Sequence, residues 1–289
     1  MTGETTRFAP SPTGHLHLGH AYAAIQAAFL AKRTGGTFHV RLEDTDRGRC
    51  RPEFESGIFD DLNWLGLDYA RPVRKQSEHF SDYTNALEKI QQIGCAYPCF
   101  CTRKDIEAEF VASLGAPQGP DGPIYTGTCR QLSIAERSVR ISRGESHAWR
   151  MDANAAIRIV GKDFGFHEDG RGPAGEHGFI VASPDLFGDF ILARKDAPAS
   201  YHLAVVVDDD LQGITTVTRG NDLFASTHAH RLLQALLGLR EPRYRHHALV
   251  RDAQGTRLAK RDQAASLRQM RAQGVTVGEI YEMLGVTSR

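Results

Sequence analysis

The chain has 289 residues, 41% of them hydrophobic, and its 35 basic side chains are balanced by 35 acidic ones. That length and apolar content suffice for one large domain or two modest ones with a real core. The charge balance excludes a global field that would draw the chain to nucleic acid or to an anionic membrane, so a nucleic-acid partner has to be held by local patches.

No apolar run approaches ~20 residues, and the N-terminus lacks the charged start and apolar stretch of a signal peptide. A cytoplasmic protein without a membrane partner is expected. Five cysteines are an odd count for a disulfide framework. Three of them, Cys99, Cys101 and Cys129, are spaced closely enough to point to a metal instead.

In chain order, a short strand ends at Phe8, and the string "PSPTGHLHLGH" (10–20) forces an irregular turn through its prolines and Gly14. A helix is predicted from about His17 to Arg33, with Leu18, Ala21, Ile25, Ala28 and Phe29 at helical spacing and Gly35-Gly36 as its stop. "TFHVRLED" then alternates as a strand should. This βαβ unit opens a doubly wound parallel sheet, and such sheets bind ligands beyond the carboxyl ends of their strands. Helices near 51–65 and 81–93 continue the pattern.

From about Cys95 to Asp185 the periodicity weakens. Glycine and proline cluster at "GAPQGPDGP" and "DGRGPAGEHG", and arginines accumulate at Arg130, Arg137, Arg140, Arg143 and Arg150. An inserted module is expected here. The α/β pattern resumes with the strand "DFILAR", the helical stretch "YHLAVVVDDDL", the strand "ITTVTRG", a helix over about 221–237 and the strand "HHALV". Residues 262–289 read as two short helices.

His17 and His20, three residues apart, share a face of the first helical turn beside its free N–H groups and positive dipole end. Together they form a site for an anion. Gly14 and Gly19 leave room for a flat base or a phosphate to approach the backbone. An isolated histidine pair near a helix start is as readily an ordinary surface feature, so the surrounding string has to decide.

That string resembles the His-x-Gly-His signature of class I aminoacyl-tRNA synthetases, in the extended form of the glutamyl and glutaminyl branch. The likeness continues through "GGTFHVRLEDTD" (35–46), "SYHLAVVVDD" (200–209), "TRGNDL" (218–223) and "HHALV…RLAKR" (246–261), in the expected order over most of the chain. It implies a Rossmann-type doubly wound catalytic core in two halves, 1–94 and 186–250. A zinc-containing module is inserted at 95–185, and the lysine loop and a short helical C-terminus occupy 251–289.

The implied chemistry joins L-glutamate to ATP as glutamyl-adenylate, releasing pyrophosphate, with Mg²⁺ accompanying ATP. By the resemblance, His17, Gly19 and His20 contact ATP, with both histidines catalytic. Lys260 is the mobile cation that meets the phosphates in the transition state. Arg7, Phe8, Ala9, Pro10, Ser11, Glu43, Tyr201 and Arg219 surround glutamate, with Glu43 facing its ammonium and arginine suited to its carboxylates. An isolated "EDTD" would otherwise be a solvated turn. The family's Lys-Met-Ser-Lys loop reads Arg257-Leu258-Ala259-Lys260 here. That change loses a hydroxyl and keeps the last ammonium.

"CFC" (99–101) and "YTGTC" (125–129) supply three thiols and one phenol. Zinc takes four ligands in a tetrahedron. No histidine lies between Cys101 and Cys129, and the Cys-x-Cys…Tyr-x₃-Cys spacing resembles one subgroup of these proteins. That likeness makes Tyr125 the fourth ligand, with water as the alternative. A structural zinc that folds the small insert is expected.

Only 29 residues follow Lys260, which leaves no room for an anticodon-reading helical domain. With the cysteine module, this resembles the glutamyl-queuosine tRNA(Asp) synthetases. The resemblance implies a monomer that activates glutamate without tRNA and attaches it to queuosine in the anticodon stem-loop of tRNA(Asp). Module arginines would meet the backbone, or else form a solvated helix face. Three other readings remain open at this point: a truncated glutamyl-tRNA synthetase charging a 3′ end, a non-catalytic RNA-binding paralogue, and a small-molecule nucleotidyltransferase.

Overall fold

The computed structural model describes residues 3–112, 118–161, 163–250 and 265–286. Strand β1 (Thr5–Phe8), helix α1 (Leu18–Thr34) and strand β2 (Thr37–Leu42) come first, followed by α2 (Pro52–Trp64), β3 (Ala70–Lys75) and α3 (Phe80–Gln92). The middle of the chain carries β4 (Ala96–Cys99), α4 (Arg103–Ala112), the two-residue strands β5 (Gln118–Gly119) and β6 (Gly122–Pro123), α5 (Ile134–Ser142), β7 (Ala148–Met151), α6 (Ala153–Val160), β8 (Gly165–Glu168) and β9 (Gly178–Val181). Then come β10 (Ile191–Ala193), α7 (Tyr201–Leu211), β11 (Thr216–Gly220), α8 (Ser226–Leu237), β12 (Arg243–His247), α9 (Leu267–Ala272) and α10 (Val277–Met283).

β1, β2 and β3 pair in parallel, with Thr5 opposite Thr37 and Leu42 opposite Lys75. β11 pairs in parallel with β12. The two groups meet where the Thr215 N–H donates to the Thr5 carbonyl at 2.9 Å and Arg7 Nη1 donates to the Thr218 carbonyl at 3.2 Å. The strands therefore run β3, β2, β1, β11, β12, and the direction of winding reverses beside β1. A crevice opens at such a reversal, beyond the strand ends.

α1 lies close to this sheet because its inner face is small. Ala21, Ala24, Ala27, Ala28 and Ala31 are buried around Ile25, and the Thr6 hydroxyl donates to the Ala27 carbonyl at 2.8 Å. Gly35 ends the helix in the left-handed region, with φ 68°, and its N–H returns to the last turn. The C-terminal helices close the same core. Leu267, Met270, Ile280 and Tyr281 pack with α1 and α2, the Tyr281 ring stacks on Phe29, and the Leu267 N–H donates to the Leu16 carbonyl at 2.8 Å.

Three expectations shift. The strand placed at "HHALV" is Arg243–His247, three residues earlier. β8 pairs with β9 and, through Glu168 opposite Tyr244, with β12, so residues 165–181 extend the core sheet. β10, on the far side of position 185, pairs antiparallel with β7, which pairs with β4. Two strand pairings thus cross the boundary placed at 185, whereas β4 and β7 pair within the interval read as an insert. Short strands with weak periodicity find partners that only tertiary packing decides.

Candidate active site

The first anchor is the turn after β1. The Glu43 N–H, just beyond β2, donates to the Pro10 carbonyl at 3.1 Å, and the Arg51 N–H donates to the Pro12 carbonyl at 3.1 Å. Both bonds tie the signature loop to the segment following β2. Two cavities open on either side of it and share Ser11 and Thr13. One, of about 550 Å³, is lined by Glu43, Asp46, Gln76, Asp121, Arg194 and Tyr201. The other, of about 460 Å³, is lined by Phe8, Ala9, Pro10, His17, Gly19 and His20, with Leu249 and Val250 at its edge. Ser11 thus faces both spaces, whereas Phe8, Ala9 and Pro10 border the histidine side.

His17 does not begin α1 but caps it. Its Nδ1 accepts the Gly19 N–H at 3.1 Å, and the His20 Nδ1 accepts the His17 N–H at 3.2 Å, a reciprocal capping box built from two imidazoles. The rings lie 3.9 Å apart, centre to centre. Because each Nδ1 is an acceptor, each neutral ring carries its hydrogen on Nε2, the form that donates to an anionic oxygen. The pair lies at the helix start, where backbone dipoles favour negative charge.

Beneath the larger cavity lies a buried ion network that sequence reasoning missed. Each of the three parallel strands contributes one arginine, and all meet Asp208 and Asp209 on α7. Arg7 Nε lies 3.0 Å from Asp209 and Arg41 Nη1 lies 2.8 Å from it; Arg74 Nε lies 2.7 Å from Asp208. Gln76 and Tyr83 also donate to Asp208, at 2.8 and 3.0 Å. Burial alone would raise the Asp209 carboxyl, but Arg7 and Arg41 outweigh it and hold the group below its usual range.

Arg41 reaches on to Glu43 at 3.3 Å. The Glu43 carboxyl is nevertheless raised, since burial exceeds the attraction of Arg41 and Arg7. Of the other acids in "EDTD", Asp44 accepts from the Ser77 N–H and hydroxyl at 2.8 and 2.6 Å, so it shapes the chain after β3. Asp46 lies 3.6 Å from Arg194 at the cavity wall.

Arg219 is buried behind Tyr201. It donates through Nη1 to the Tyr201 hydroxyl at 3.2 Å and to His230 Nδ1 at 3.3 Å, through Nη2 to the Thr227 hydroxyl at 2.7 Å, and through Nε to His246 Nε2 at 3.1 Å. Since Tyr201 accepts from Arg219, its own O–H can donate into the cavity. The other nitrogen of His246 meets the fully buried Glu168. Burial, helped by Arg219, brings His246 down to about 4 despite Glu168, so the ring is neutral at pH 7 and accepts from Arg219.

The three cysteines converge. Their sulfurs lie within 4.8 Å of one another, Cys101 Sγ is 3.5 Å from Cys129 Sγ, and the Tyr125 hydroxyl is 3.3 Å from Cys101 Sγ. Sulfurs held about 2.3 Å from a tetrahedral zinc stand roughly 3.8 Å apart, so this spacing fits that ion. Burial would raise the Cys129 thiol, yet hydrogen bonds from Tyr125 and from the Phe100 N–H hold it lower, whereas burial pushes the neighbouring Cys101 thiol up to about 12. Tyr97, Phe100 and Leu132 pack around the cluster as a small core of their own.

Of the five module arginines, Arg143 is exposed to solvent and the other four make contacts within the module. Arg130 pairs with the buried Asp189 at 2.8 Å, and Arg137 donates to the Arg130 carbonyl and lies over the Tyr97 ring. Arg140 pairs with Glu145 over the Phe100 ring, and Arg150 stacks 4.0 Å from the Tyr125 ring centre. These four guanidinium groups brace the module around its cysteines. Lys260, with Arg257, Leu258 and Ala259, lies outside the described residues. The flanks of that segment are described: Val250 borders the histidine-side cavity, and Ser266 bridges to His17. Among the described residues, no helix is long and apolar enough to cross a membrane.

Residues 5–286 match the family model of class I tRNA synthetases (E and Q), catalytic domain. A glutamyl-Q tRNA(Asp) synthetase of Rhodobacter capsulatus is 45% identical over 97% of this chain and 99% of its own length. A glutamate–tRNA ligase of Aquifex aeolicus is 36% identical over 98% of this chain, which spans 57% of that protein. The crystal structure of a glutamate tRNA ligase from Elizabethkingia meningosepticum in complex with its amino acid superposes with a TM-score of 0.74 at 28% identity, over 90% of this chain and 52% of that one. A mixed α/β fold with a central parallel sheet, the paired histidines at the start of its first helix and a match across nearly the whole chain agree, and the chain belongs to the class I tRNA synthetases of the E and Q group, a family of ligases.

Proposed function

We propose that the larger cavity binds L-glutamate, that the histidine-side cavity binds ATP with its Mg²⁺, and that the two react across Ser11. The observation that carries this reading is the junction itself: a space bordered by Glu43 and Tyr201 and a space bordered by His17 and His20 meet at one loop. Glu43 faces the glutamate ammonium, its carboxylate supported by Arg41. Tyr201, with Arg219 behind it, and Arg7 receive a carboxylate.

Gly19 and the Nε2–H groups of His17 and His20 receive phosphate and adenine. A glutamate carboxylate oxygen then attacks the α-phosphorus as the bond to the bridging oxygen breaks. The products are glutamyl-adenylate and pyrophosphate. The donors at the helix start stabilise the charge gathered on phosphate oxygen. Lys260 is six residues from the Ser266 anchor, a span of at most ~22 Å, so it can reach the cavity that Val250 borders.

In the second step a hydroxyl of queuosine attacks the acyl carbon, loses its proton, and AMP departs. Identity to the Rhodobacter protein along both chains favours the anticodon stem-loop of tRNA(Asp) as acceptor. Identity to the Aquifex protein favours a tRNA 3′ end as the second reading. The residues Cys99, Cys101, Tyr125 and Cys129 fit one zinc, whose contribution is to hold the module's fold.

Glutamate-dependent exchange of pyrophosphate into ATP without tRNA tests the first step. Transfer of labelled glutamate to tRNA(Asp), with and without queuosine, tests the second. Absence of exchange refutes tRNA-independent activation, and transfer to queuosine-free tRNA or to tRNA(Glu) selects the 3′-end reading.

A further inference from the structure

A second arm runs outward from Arg219. Its Nη1 donates to His230 Nδ1 at 3.3 Å, His230 Nε2 lies 3.2 Å from His202 Nδ1, and His202 Nε2 lies 2.8 Å from Asp121 Oδ2. Hydrogen-bonding capacity fixes the direction of this chain. An arginine only donates and an ionised carboxylate only accepts, so the hydrogen of each ring must sit on Nε2 and every link points outward. Burial and the neighbouring Arg219 hold His230 well below its usual value, in keeping with a neutral ring.

The arm is also held sideways. The His202 ring meets Phe187 and Phe190 edge-on at 5.4 and 5.3 Å, and the His230 ring meets Tyr201 at 5.4 Å. His202 and His230 are buried, whereas Asp121 is 60% exposed at the turn between β5 and β6. One end therefore lies on a surface hairpin of the module and the other beneath the carboxylate pocket. Gly119, Asp121, Gly122 and Pro123 line that same cavity, so the hairpin is part of its wall.

We propose that Asp121, His202 and His230 are positioning residues that fix the guanidinium of Arg219, and with it the Tyr201 hydroxyl, so that docking of the β5–β6 hairpin sets how tightly the pocket grips its substrate's carboxylate. This rests on the glutamate reading above. Without the outer carboxylate, His202 can exchange its hydrogen between ring nitrogens, His230 loses its fixed acceptor, and Arg219 can rotate away from Tyr201. The other arm, through His246 and Glu168, remains, so Arg219 loosens without leaving.

The test is steady-state pyrophosphate exchange with wild type, Asp121→Ala, Asp121→Asn and His202→Phe. Asp121→Ala should raise the KM for glutamate roughly tenfold, the scale of one hydrogen bond to a charged group. The KM for ATP and the melting temperature should stay unchanged. Asp121→Asn keeps an acceptor oxygen and should fall between it and wild type. His202→Phe keeps the ring packing and should match Asp121→Ala.

Nitrogen-15 spectra of histidine-labelled protein supply a readout that needs no catalysis: wild type should hold both His202 and His230 as Nε2–H tautomers, and Asp121→Ala should lose the fixed form at His202. A glutamate KM within twofold of wild type, or equal rises in both KM values, overturns the proposal while the wild-type exchange stands. A wild type with no glutamate-dependent exchange removes the glutamate reading and this proposal with it.

Discussion

Arg41→Met tests the buried network most directly. The Arg41 side chain is 0% exposed and donates to Asp209 at 2.8 Å, to Gln212 at 2.9 Å and to Glu43 at 3.3 Å. Burial alone would weaken its charge, but Asp209 and Asp208 outweigh that and hold the guanidinium firmly protonated. Removing one member of a buried charge network costs about 3–5 kcal/mol, because the partner stays buried without its counter-charge. Here Arg7 still meets Asp209 and Arg74 still meets Asp208, so the lower end, about 3 kcal/mol, is expected. For a chain of this size that lowers the melting temperature by roughly 6–12 °C.

Urea denaturation followed by tryptophan fluorescence measures the loss. Asp209→Asn should cost less in the Arg41→Met background than on its own, with a coupling of at least about 1 kcal/mol in the double-mutant cycle. A cost below about 1 kcal/mol for Arg41→Met, or strict additivity in the cycle, would refute the reasoning.

Lys260→Ala should lower the rate of adenylate formation by roughly 10²–10³ with little change in glutamate affinity, since an ammonium that meets developing phosphate charge acts mainly in the transition state; single-turnover rates beside equilibrium glutamate binding check this, and equal losses in both count against the role. Purified protein should carry about one zinc per chain by elemental analysis. Cys101→Ser should lower that content and destabilise the module, with an unchanged melting profile after chelation as the contrary result. Burial pushes the Asp61 carboxyl up to about 6 from 3.8, with Arg271 opposing. Its protonated form therefore supports the fold fully below pH 3.8, and that support is lost as pH rises through about 6. Asp61→Asn should accordingly stabilise the protein by about 1–3 kcal/mol at pH 8 and by much less at pH 4, and equal effects at both pH values would show that the charge is not the cause.

Local pattern made the first half of the fold legible. Helical spacing with a glycine stop placed α1, and alternation placed β2. The histidine string pointed to a candidate anion site, although it did not show that His17 is the cap rather than the first helical residue, because histidine is an unusual cap. Asp208 and Asp209 left a signal that could have been used. "VVVDDD" puts acids at the carboxyl end of an apolar helix, against its dipole, a placement that needs buried cations to hold it. No local signal marks the Asp121–His202–His230 arm, whose members are 81 and 28 residues apart and meet only in the folded chain. Nor could the module's limits be read, since β4, β7 and β10 choose one another across long separations.

The convergence of Arg7, Arg41 and Arg74 on two adjacent aspartates has a historical consequence. Any lone replacement there unbalances the buried charges, so divergence by single steps is penalised, and compensating exchanges are favoured. Since Arg41 also supports Glu43, the wall of the cavity and the frame of the sheet would be inherited together. A descendant that came to prefer another amino acid would be expected to leave this ionic knot intact and to remodel the far wall, around Tyr201 and the module hairpin.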